Sequence, residues 1–159
     1  MIEIKLTTDG GDMAHCAQLM NSSEPFITLG FTYERCLAAM KGDNKEIYLA
    51  YYDGEFAGFV VLQLAGVLRG YIQTICVVHG LRGKGIGTAL LEFSIGRVIK
   101  MSPHVFMCVS SFNHGAQKLY ARMGFVKVGE FKDHLVNGYD EYLLRKSVGS
   151  HFEYVPPMD

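Results

Sequence analysis

The chain has 159 residues, of which 49% are hydrophobic and 19% charged, and its net charge is −1. That length predicts one domain with a core large enough to need no disulfide or metal. The charge balance and the lack of a basic block argue against nucleic acid or an anionic membrane as partner.

The cysteines are spread along the chain and form no Cys-x-x-Cys pair, which favours reduced thiols and a cytoplasmic protein. They are Cys16, Cys36, Cys76 and Cys108. No apolar run is long enough to span a bilayer. The N-terminal residues alternate like a strand and do not resemble a signal peptide.

The first half of the chain predicts a strand, two helices and two further strands. Residues 2–6 alternate between apolar and charged. Helices are predicted over residues 12–20, capped by Asp12, and over residues 32–41, capped by Thr32. An apolar loop, residues 26–31, joins them.

An Asp53-Gly54 pair then predicts a hairpin between residues 46–52 and 55–65. Gly58 inside the second of these strands predicts a bulge or a close backbone approach.

The second half predicts a strand (residues 71–78), a glycine-rich loop, a helix (85–100), a buried strand (104–109), a helix (114–123) and strands at 125–131 and 139–144. The helix 85–100 turns an apolar face inward, formed by Ile86, Leu90, Phe93 and Val98. The order βααβββαβαββ predicts an α/β (α+β) fold, a mixed sheet of about seven strands with helices on both faces. We expect one domain, residues 1–146, and a loosely ordered tail, residues 147–159.

The loop at residues 81–88 reads Leu-Arg-Gly-Lys-Gly-Ile-Gly-Thr and lies between a strand and a helix. The first N–H groups of a helix have no internal partner, and glycines let a phosphate approach the backbone closely. Arg82 and Lys84 add positive charge. The loop therefore predicts a phosphate-bearing ligand, although an ordinary glycine-rich turn is the alternative.

The spacing of the glycines excludes two common phosphate loops. A P-loop requires Lys after its second glycine, and here Ile86 follows Gly85. A dinucleotide fingerprint requires a third glycine where Thr88 stands.

The remaining pattern, Arg-x-x-Gly-x-Gly at Arg82, Gly85 and Gly87, resembles the acetyl-CoA pyrophosphate loop of the GNAT superfamily of N-acetyltransferases. A second segment, Asn-x-x-Ala-x-x-x-Tyr-x-x-x-Gly-Phe from Asn113 to Phe125, resembles the other acetyl-CoA motif of that superfamily. Residues 113 and 120 are about two helical turns apart, so their side chains project from one face.

The resemblance implies a GNAT fold and a set of acetyl-CoA-binding residues. These are Ile75, Cys76 and Val77 on the strand, Arg82, Gly83, Lys84, Gly85, Ile86, Gly87 and Thr88 in the loop, and Asn113, Ala116 and Tyr120 at the helix predicted over residues 114–123. Tyr120 is the implied general acid, which gives the leaving thiolate a proton; a core aromatic residue is the alternative. No metal and no covalent enzyme intermediate are implied.

The general base is left open. The superfamily often places a carboxylate on the strand before the loop, where this chain has Tyr71, Gln73 and Thr74. A carboxylate base on that strand is therefore in question, and the candidates elsewhere are Glu24, Asp133, His134 and Glu141, each more typical of a solvated surface group.

The sequence therefore predicts an N-acetyltransferase that moves an acetyl group from acetyl-CoA to a primary amine by direct attack. Within the superfamily it most resembles bacterial protein N-terminal acetyltransferases, such as those acting on ribosomal-protein alanine. A small-molecule amine is the alternative acceptor, and a non-catalytic acyl-CoA-binding module or an ATP-binding α/β protein is the alternative function. An exposed strand edge near the C-terminus would allow a homodimer.

Overall fold

A computed structural model describes residues 1–158, which form seven strands, four α-helices and one 3-10 turn. In chain order they are β1 (Ile2–Thr7), α1 (Gly10–Asn21), α2 (Tyr33–Ala39), β2 (Lys45–Tyr52), β3 (Glu55–Gln63), β4 (Tyr71–Val77), the 3-10 turn (His79–Leu81), α3 (Ile86–Ile99), β5 (His104–Ser110), α4 (His114–Arg122), β6 (Val126–Val136) and β7 (Tyr139–Ser147). The predicted order of elements is confirmed.

The strands form one sheet in the order β1-β2-β3-β4-β5-β7-β6, in which only β4 and β5 are parallel neighbours. One face of the sheet packs against α3 and α4, and the other against α1 and α2. The predicted mixed sheet with helices on both faces is confirmed. Among residues 1–158, no helix is both long and apolar enough to cross a membrane.

Two details of the helices differ from the sequence prediction. Asp9, not Asp12, caps α1, because the helix begins at Gly10 and the Asp9 carboxylate accepts a hydrogen bond from the Asp12 N–H at 3.0 Å. On α3, Leu91 and Ser94 are fully buried, whereas Phe93 is only partly buried. Phe93 lies at the margin of the core, with its ring centroid 4.5 Å from that of Tyr48.

A bulge at Gln73 reverses the side-chain alternation of β4. Leu62 of β3 pairs with Ile72, and the preceding Val61 pairs with Thr74, so Gln73 has no partner in β3. Ile72 accordingly faces the α3 core, whereas Cys76 lies in the α1–α2 core. The bulge thus determines which side chains of β4, the strand before the glycine-rich loop, face each side of the sheet.

Gly58 meets both expectations raised for it. The register of β2 and β3 shifts next to it, with Ala50 opposite Gly58 and Tyr51 opposite Phe56. A Cβ atom built at Gly58 would lie 2.3 Å from the backbone oxygen of Cys76. Only a glycine lets β3 approach β4 this closely.

The C-terminal tail contacts the domain, and its first residue, Ser147, is the last residue of β7. The N–H of Val148 donates to the backbone oxygen of Pro103 at 2.9 Å. The Tyr154 hydroxyl donates to the backbone oxygen of Ile99. The division of the chain at residue 146 stays a prediction, and Asp159 lies outside the described residues.

Candidate active site

The strands β4 and β5 separate soon after they begin. Their parallel pairing consists of two partner pairs, Tyr71 with Phe106 and Ile72 with Met107. Beyond these pairs, the backbone groups that each strand turns toward the other have no strand partner on that side. The sheet therefore opens in its middle and offers unpaired backbone donors and acceptors.

A cavity of about 600 Å³ occupies this opening. Of the residues predicted to bind acetyl-CoA, the ones that line it are Ile75, Cys76, Val77, Arg82, Gly83, Ile86, Gly87, Asn113, Ala116 and Tyr120. Lys84, Gly85 and Thr88 belong to the same loop and first helical turn but do not line the cavity. The amino group of Lys84 instead lies 5.5 Å from the ring centroid of Tyr52.

The glycine-rich loop leaves the N-terminus of α3 without a side-chain cap. Gly83 and Gly85 have φ angles of +78° and +81°, which favour glycine, and Gly85 is the N-cap residue. The first intrahelical bond runs from the Ala89 N–H to the Gly85 oxygen, so the three preceding N–H groups have no helical partner. The first turn of α3 carries no acidic residue, and Arg82 is exposed beside it. This helix end suits an anion.

Helix α4 also lines the cavity and begins with a capped turn. The Asn113 side-chain oxygen accepts a hydrogen bond from the Ala116 N–H at 3.3 Å. The Gln117 amide donates to the backbone oxygens of Ser110 and Ser111 at 3.1 and 3.0 Å, which ties the helix start to the end of β5. Tyr120 follows on the inner face of the same helix.

Tyr120 is 7% exposed and lines the cavity. Burial, with a smaller effect of the Cys76 thiol, raises the pKa of its phenol above the ordinary value of 10. The phenol therefore keeps its proton at neutral pH. Burial also raises the pKa of Cys76 to about 12, so this thiol is a poor nucleophile.

Glu141 is buried, contrary to the expectation of a solvated surface group. It is 7% exposed, lines the cavity, and its Oε2 atom has no hydrogen-bond partner. The reason is topological, because β7 lies between β5 and β6 and pairs Glu141 with Ser110 and Phe131. The order of strands could not be read from local patterns, so no sequence signal predicted this burial.

The other candidate bases are exposed. Glu24 lines the cavity, and its carboxylate accepts a hydrogen bond from the Thr28 N–H at 3.2 Å. Asp133 accepts one from the Gly138 N–H at 2.7 Å in the β6–β7 hairpin. His134 lines the cavity and stacks on Phe131, with 4.8 Å between ring centroids.

The apolar loop between α1 and α2 forms one wall of the cavity, a role the sequence prediction did not include. Its lining residues are Pro25, Phe26, Leu29 and Phe31, and Leu135 of β6 lines the cavity as well. The cavity therefore extends from the α3–α4 face through the opening in the sheet to the α1–α2 face. Within residues 1–158, no group of three or more His, Cys, Asp or Glu side chains is placed to hold a metal ion.

A family model described as "Acetyltransferase (GNAT) family" matches residues 14–125. The match covers more than half of the chain, so the protein belongs to the GNAT family of acetyltransferases. The predicted family is confirmed, and the predicted enzyme class, an acetyl-CoA-dependent acetyltransferase, is confirmed at the level of that family.

Two curated relatives are N-alpha-acetyltransferases. The chain is 28% identical to N-alpha-acetyltransferase MAK3 of Arabidopsis thaliana over 102 residues, which cover 62% of this chain but only 54% of the relative, so the chain spans about half of that protein. It is 28% identical to an N-alpha-acetyltransferase of Sulfurisphaera tokodaii over 118 residues, 66% of this chain and 71% of the relative.

The fold is shared with the ribosomal-protein-S18-alanine N-acetyltransferase from Escherichia coli. That crystal structure matches with a TM-score of 0.73 and 20% identity, over 98% of this chain and 99% of the other. The predicted GNAT fold is confirmed.

Proposed function

We propose that the protein transfers the acetyl group of acetyl-CoA to the α-amino group at a protein N-terminus. The observation that carries this proposal is the opening between β4 and β5, which lies between the uncapped N-terminus of α3 and the buried phenol of Tyr120. Membership of the GNAT family makes acetyl-CoA the expected donor.

In this proposal the end of α3 binds the pyrophosphate through its free N–H groups, with Arg82 beside it. The unpaired backbone groups of β4, from Ile75 to Val77, hydrogen-bond the amide-rich pantetheine arm, and an N–H of this strand polarises the thioester carbonyl. Asn113 and Ala116 line the other side of the arm. Lys84 and Thr88 belong to the loop but do not line the cavity. We therefore propose that they contact phosphate groups of acetyl-CoA that lie outside the cavity.

Tyr120 is the proposed general acid. When the thioester bond breaks, the departing sulfur gains negative charge and needs a proton. A phenol with a raised pKa holds that proton at neutral pH and lies in the same cavity.

A protein N-terminus is favoured as acceptor because both curated relatives described above are N-alpha-acetyltransferases. The apolar wall formed by Phe26, Leu29, Phe31 and Leu135 suits an acceptor whose first side chain is apolar. A homodimer stays a prediction, for which β6 supplies an edge strand carrying exposed Val126 and Val128.

The test is an acetyl-CoA-dependent screen of short peptides with free N-termini and of small-molecule amines, read by mass spectrometry. We expect a single added acetyl group on the α-amine of peptides that begin with an apolar residue. Acetylation of small amines alone would assign the alternative acceptor class. Acetyl-CoA binding without turnover on any amine would favour a non-catalytic acyl-CoA-binding module.

A further inference from the structure

We propose that Glu141 binds the ammonium form of the acceptor and then accepts its proton as the general base. This role rests on the proposed transfer to an amine. The site is a buried carboxylate in the wall of the cavity, with an oxygen atom that no protein group satisfies. A buried carboxylate oxygen without a partner is costly unless a cation occupies the site.

Glu141 lies on the opposite side of the sheet from Tyr120. Met107 and Val109 of β5 belong to the α3-side core together with Tyr120, so Cys108 and Ser110 point to the α1–α2 side. Glu141 is the cross-strand partner of Ser110 and shares that face. A carboxylate on one side of the opening and a phenol on the other place a base and an acid on either side of a thioester held between them.

Among the described residues, no Lys or Arg side chain is one of the groups that act on the Glu141 carboxyl. The groups that face it are Ser110 and Cys108 on β5, Tyr71 on β4 and His134 on β6. Burial raises the pKa of the Glu141 carboxyl, and Ser110 and His134 oppose that shift without reversing it. On its own strand, Asp140 is directed elsewhere, since it accepts a hydrogen bond from the Asp133 N–H at 3.1 Å.

Two protons must leave the nitrogen during the transfer. The ammonium group has three protons and the amide product has one. Glu141 accepts the first proton, the nitrogen lone pair forms the N–C bond, and the C–S bond breaks as Tyr120 gives its proton to the sulfur. The second proton leaves the nitrogen and restores the phenol through solvent, while Glu141 passes its own proton to solvent.

The test compares the wild type with Glu141→Gln, which keeps the size of the side chain and removes the base. We expect kcat to fall about 100-fold or more while the Kd of acetyl-CoA changes less than about 3-fold. For the wild type, kcat should fall as the pH drops through the pKa of Glu141. This acidic limb should be lost in Glu141→Gln and retained, at reduced kcat, in Glu141→Asp.

Two control variants separate this role from others. Glu92→Gln removes an exposed carboxylate on α3 that does not line the cavity, and it should leave kcat and its pH profile unchanged. Glu24→Gln removes the exposed carboxylate in the same cavity. The proposal is overturned if Glu141→Gln keeps kcat within about 3-fold with its acidic limb, or if Glu24→Gln alone loses that limb.

A binding measurement keeps the proposal testable if no amine is acetylated, a result that would defeat the proposed function. In CoA-saturated protein, the 13C resonance of the Glu141 carboxyl is followed by NMR while ethylamine is added. We expect a saturable shift that acetamide, its uncharged counterpart, does not produce. An unmoved resonance would overturn the assignment of Glu141 as the ammonium site.

Discussion

Burial changes what the phenol of Tyr120 can do. In water the group would be half ionised near pH 10, but in the wall of the cavity its pKa is raised and the proton is held. Removing the hydroxyl leaves the ring, which packs edge-on against Phe125 with 6.3 Å between centroids. Replacing Tyr120 by Phe therefore removes the proton donor and keeps the packing of the ring.

For Tyr120→Phe we expect kcat to fall about 100-fold or more, since a positioned general acid contributes roughly that factor. Acetyl-CoA should bind with unchanged Kd, measured by calorimetry. The wild-type kcat should show no loss between pH 7 and pH 10 from ionisation of Tyr120, because its raised pKa lies above that interval. An unchanged kcat in the variant would remove Tyr120 from the acid role.

Gly58 is a second position at which adding one carbon atom should change stability. In Gly58→Ala the new methyl group would overlap the Cys76 oxygen at 2.3 Å, so β4 must shift. We expect the free energy of unfolding to fall by about 1–3 kcal/mol and acetyl-CoA to bind more weakly.

The matched control is Gly96→Ala, also a glycine-to-alanine change, at a site on α3 with no atom within 4 Å of the new Cβ. Because alanine favours the helix, this variant should gain about 0.5–1 kcal/mol. Urea denaturation followed by circular dichroism measures both. Equal stability of Gly58→Ala and the wild type would contradict the close approach of β3 and β4.

The candidate site is formed where two strands separate and where a helix begins. The opening between β4 and β5 exposes backbone groups, and α3 begins without a side-chain cap, whereas α1, α2 and α4 begin with Asp9, Thr32 and Asn113 as caps. These features supply the ligand contacts mainly through the backbone. A side chain added at the start of α3 therefore tests the assignment directly.

Gly87 lies in the first turn of α3, and a Cβ there would be in ordinary contact with Leu119 and Val77 at 3.8 Å. Gly87→Glu should fold but place a carboxylate where the pyrophosphate is proposed to bind. A ligand at 100 times its Kd stabilises the folded state by about 2.7 kcal/mol, a rise of roughly 5–10 °C in Tm for a chain of this size. We expect acetyl-CoA to produce that rise in the wild type and none in Gly87→Glu.

The control for the added charge is Gly10→Glu, in the first turn of α1, where no atom lies within 4 Å of the new Cβ. Its Tm should rise with acetyl-CoA as in the wild type. A full rise in Gly87→Glu would show that the pyrophosphate does not bind at the start of α3.

Local sequence patterns predicted the strands, helices and turns but not how the strands pair and which side chains they bury. The hairpin at Asp53-Gly54 and the glycines around α3 are encoded by neighbouring residues, because positive φ angles require particular residue types. The burial of Glu141 and the reversal of β4 at Gln73 depend on which strands pair and in what register. Such pairings join residues far apart in sequence, so no local pattern reports them.

In the part of the chain that the structure describes, an ion pair joins the N-terminal half of the sheet to α3. Arg97 donates to both carboxylate oxygens of Glu46, at 2.7 and 2.9 Å, and the Tyr48 hydroxyl donates to the same carboxylate. Burial by itself would raise the pKa of Glu46, but the hydrogen bonds from Arg97 and Tyr48 and the charge of Arg97 outweigh it and lower the pKa. The pair links the folding of β2 to that of α3.

For Glu46→Gln we expect the free energy of unfolding at pH 7 to fall by about 1–3 kcal/mol, since both partners are only partly buried. Because the folded pKa is below the ordinary value of 4.5, the stabilisation is fully present above that value and is lost as the pH falls through the folded pKa. The difference between wild type and variant should therefore shrink below about pH 4.5 in urea titrations. A difference that stays constant down to pH 2.5 would contradict this role.

We propose above all that the opening between β4 and β5 holds the thioester within reach of Tyr120. A crystal structure with bound acetyl-CoA tests it most directly. We predict the pantetheine arm between Ile75–Val77 and α4, with the thioester sulfur in hydrogen-bonding range of the Tyr120 hydroxyl, about 3–3.5 Å, and the pyrophosphate at the N-terminus of α3. A cofactor bound outside this opening, or one with its sulfur far from Tyr120, would contradict the account.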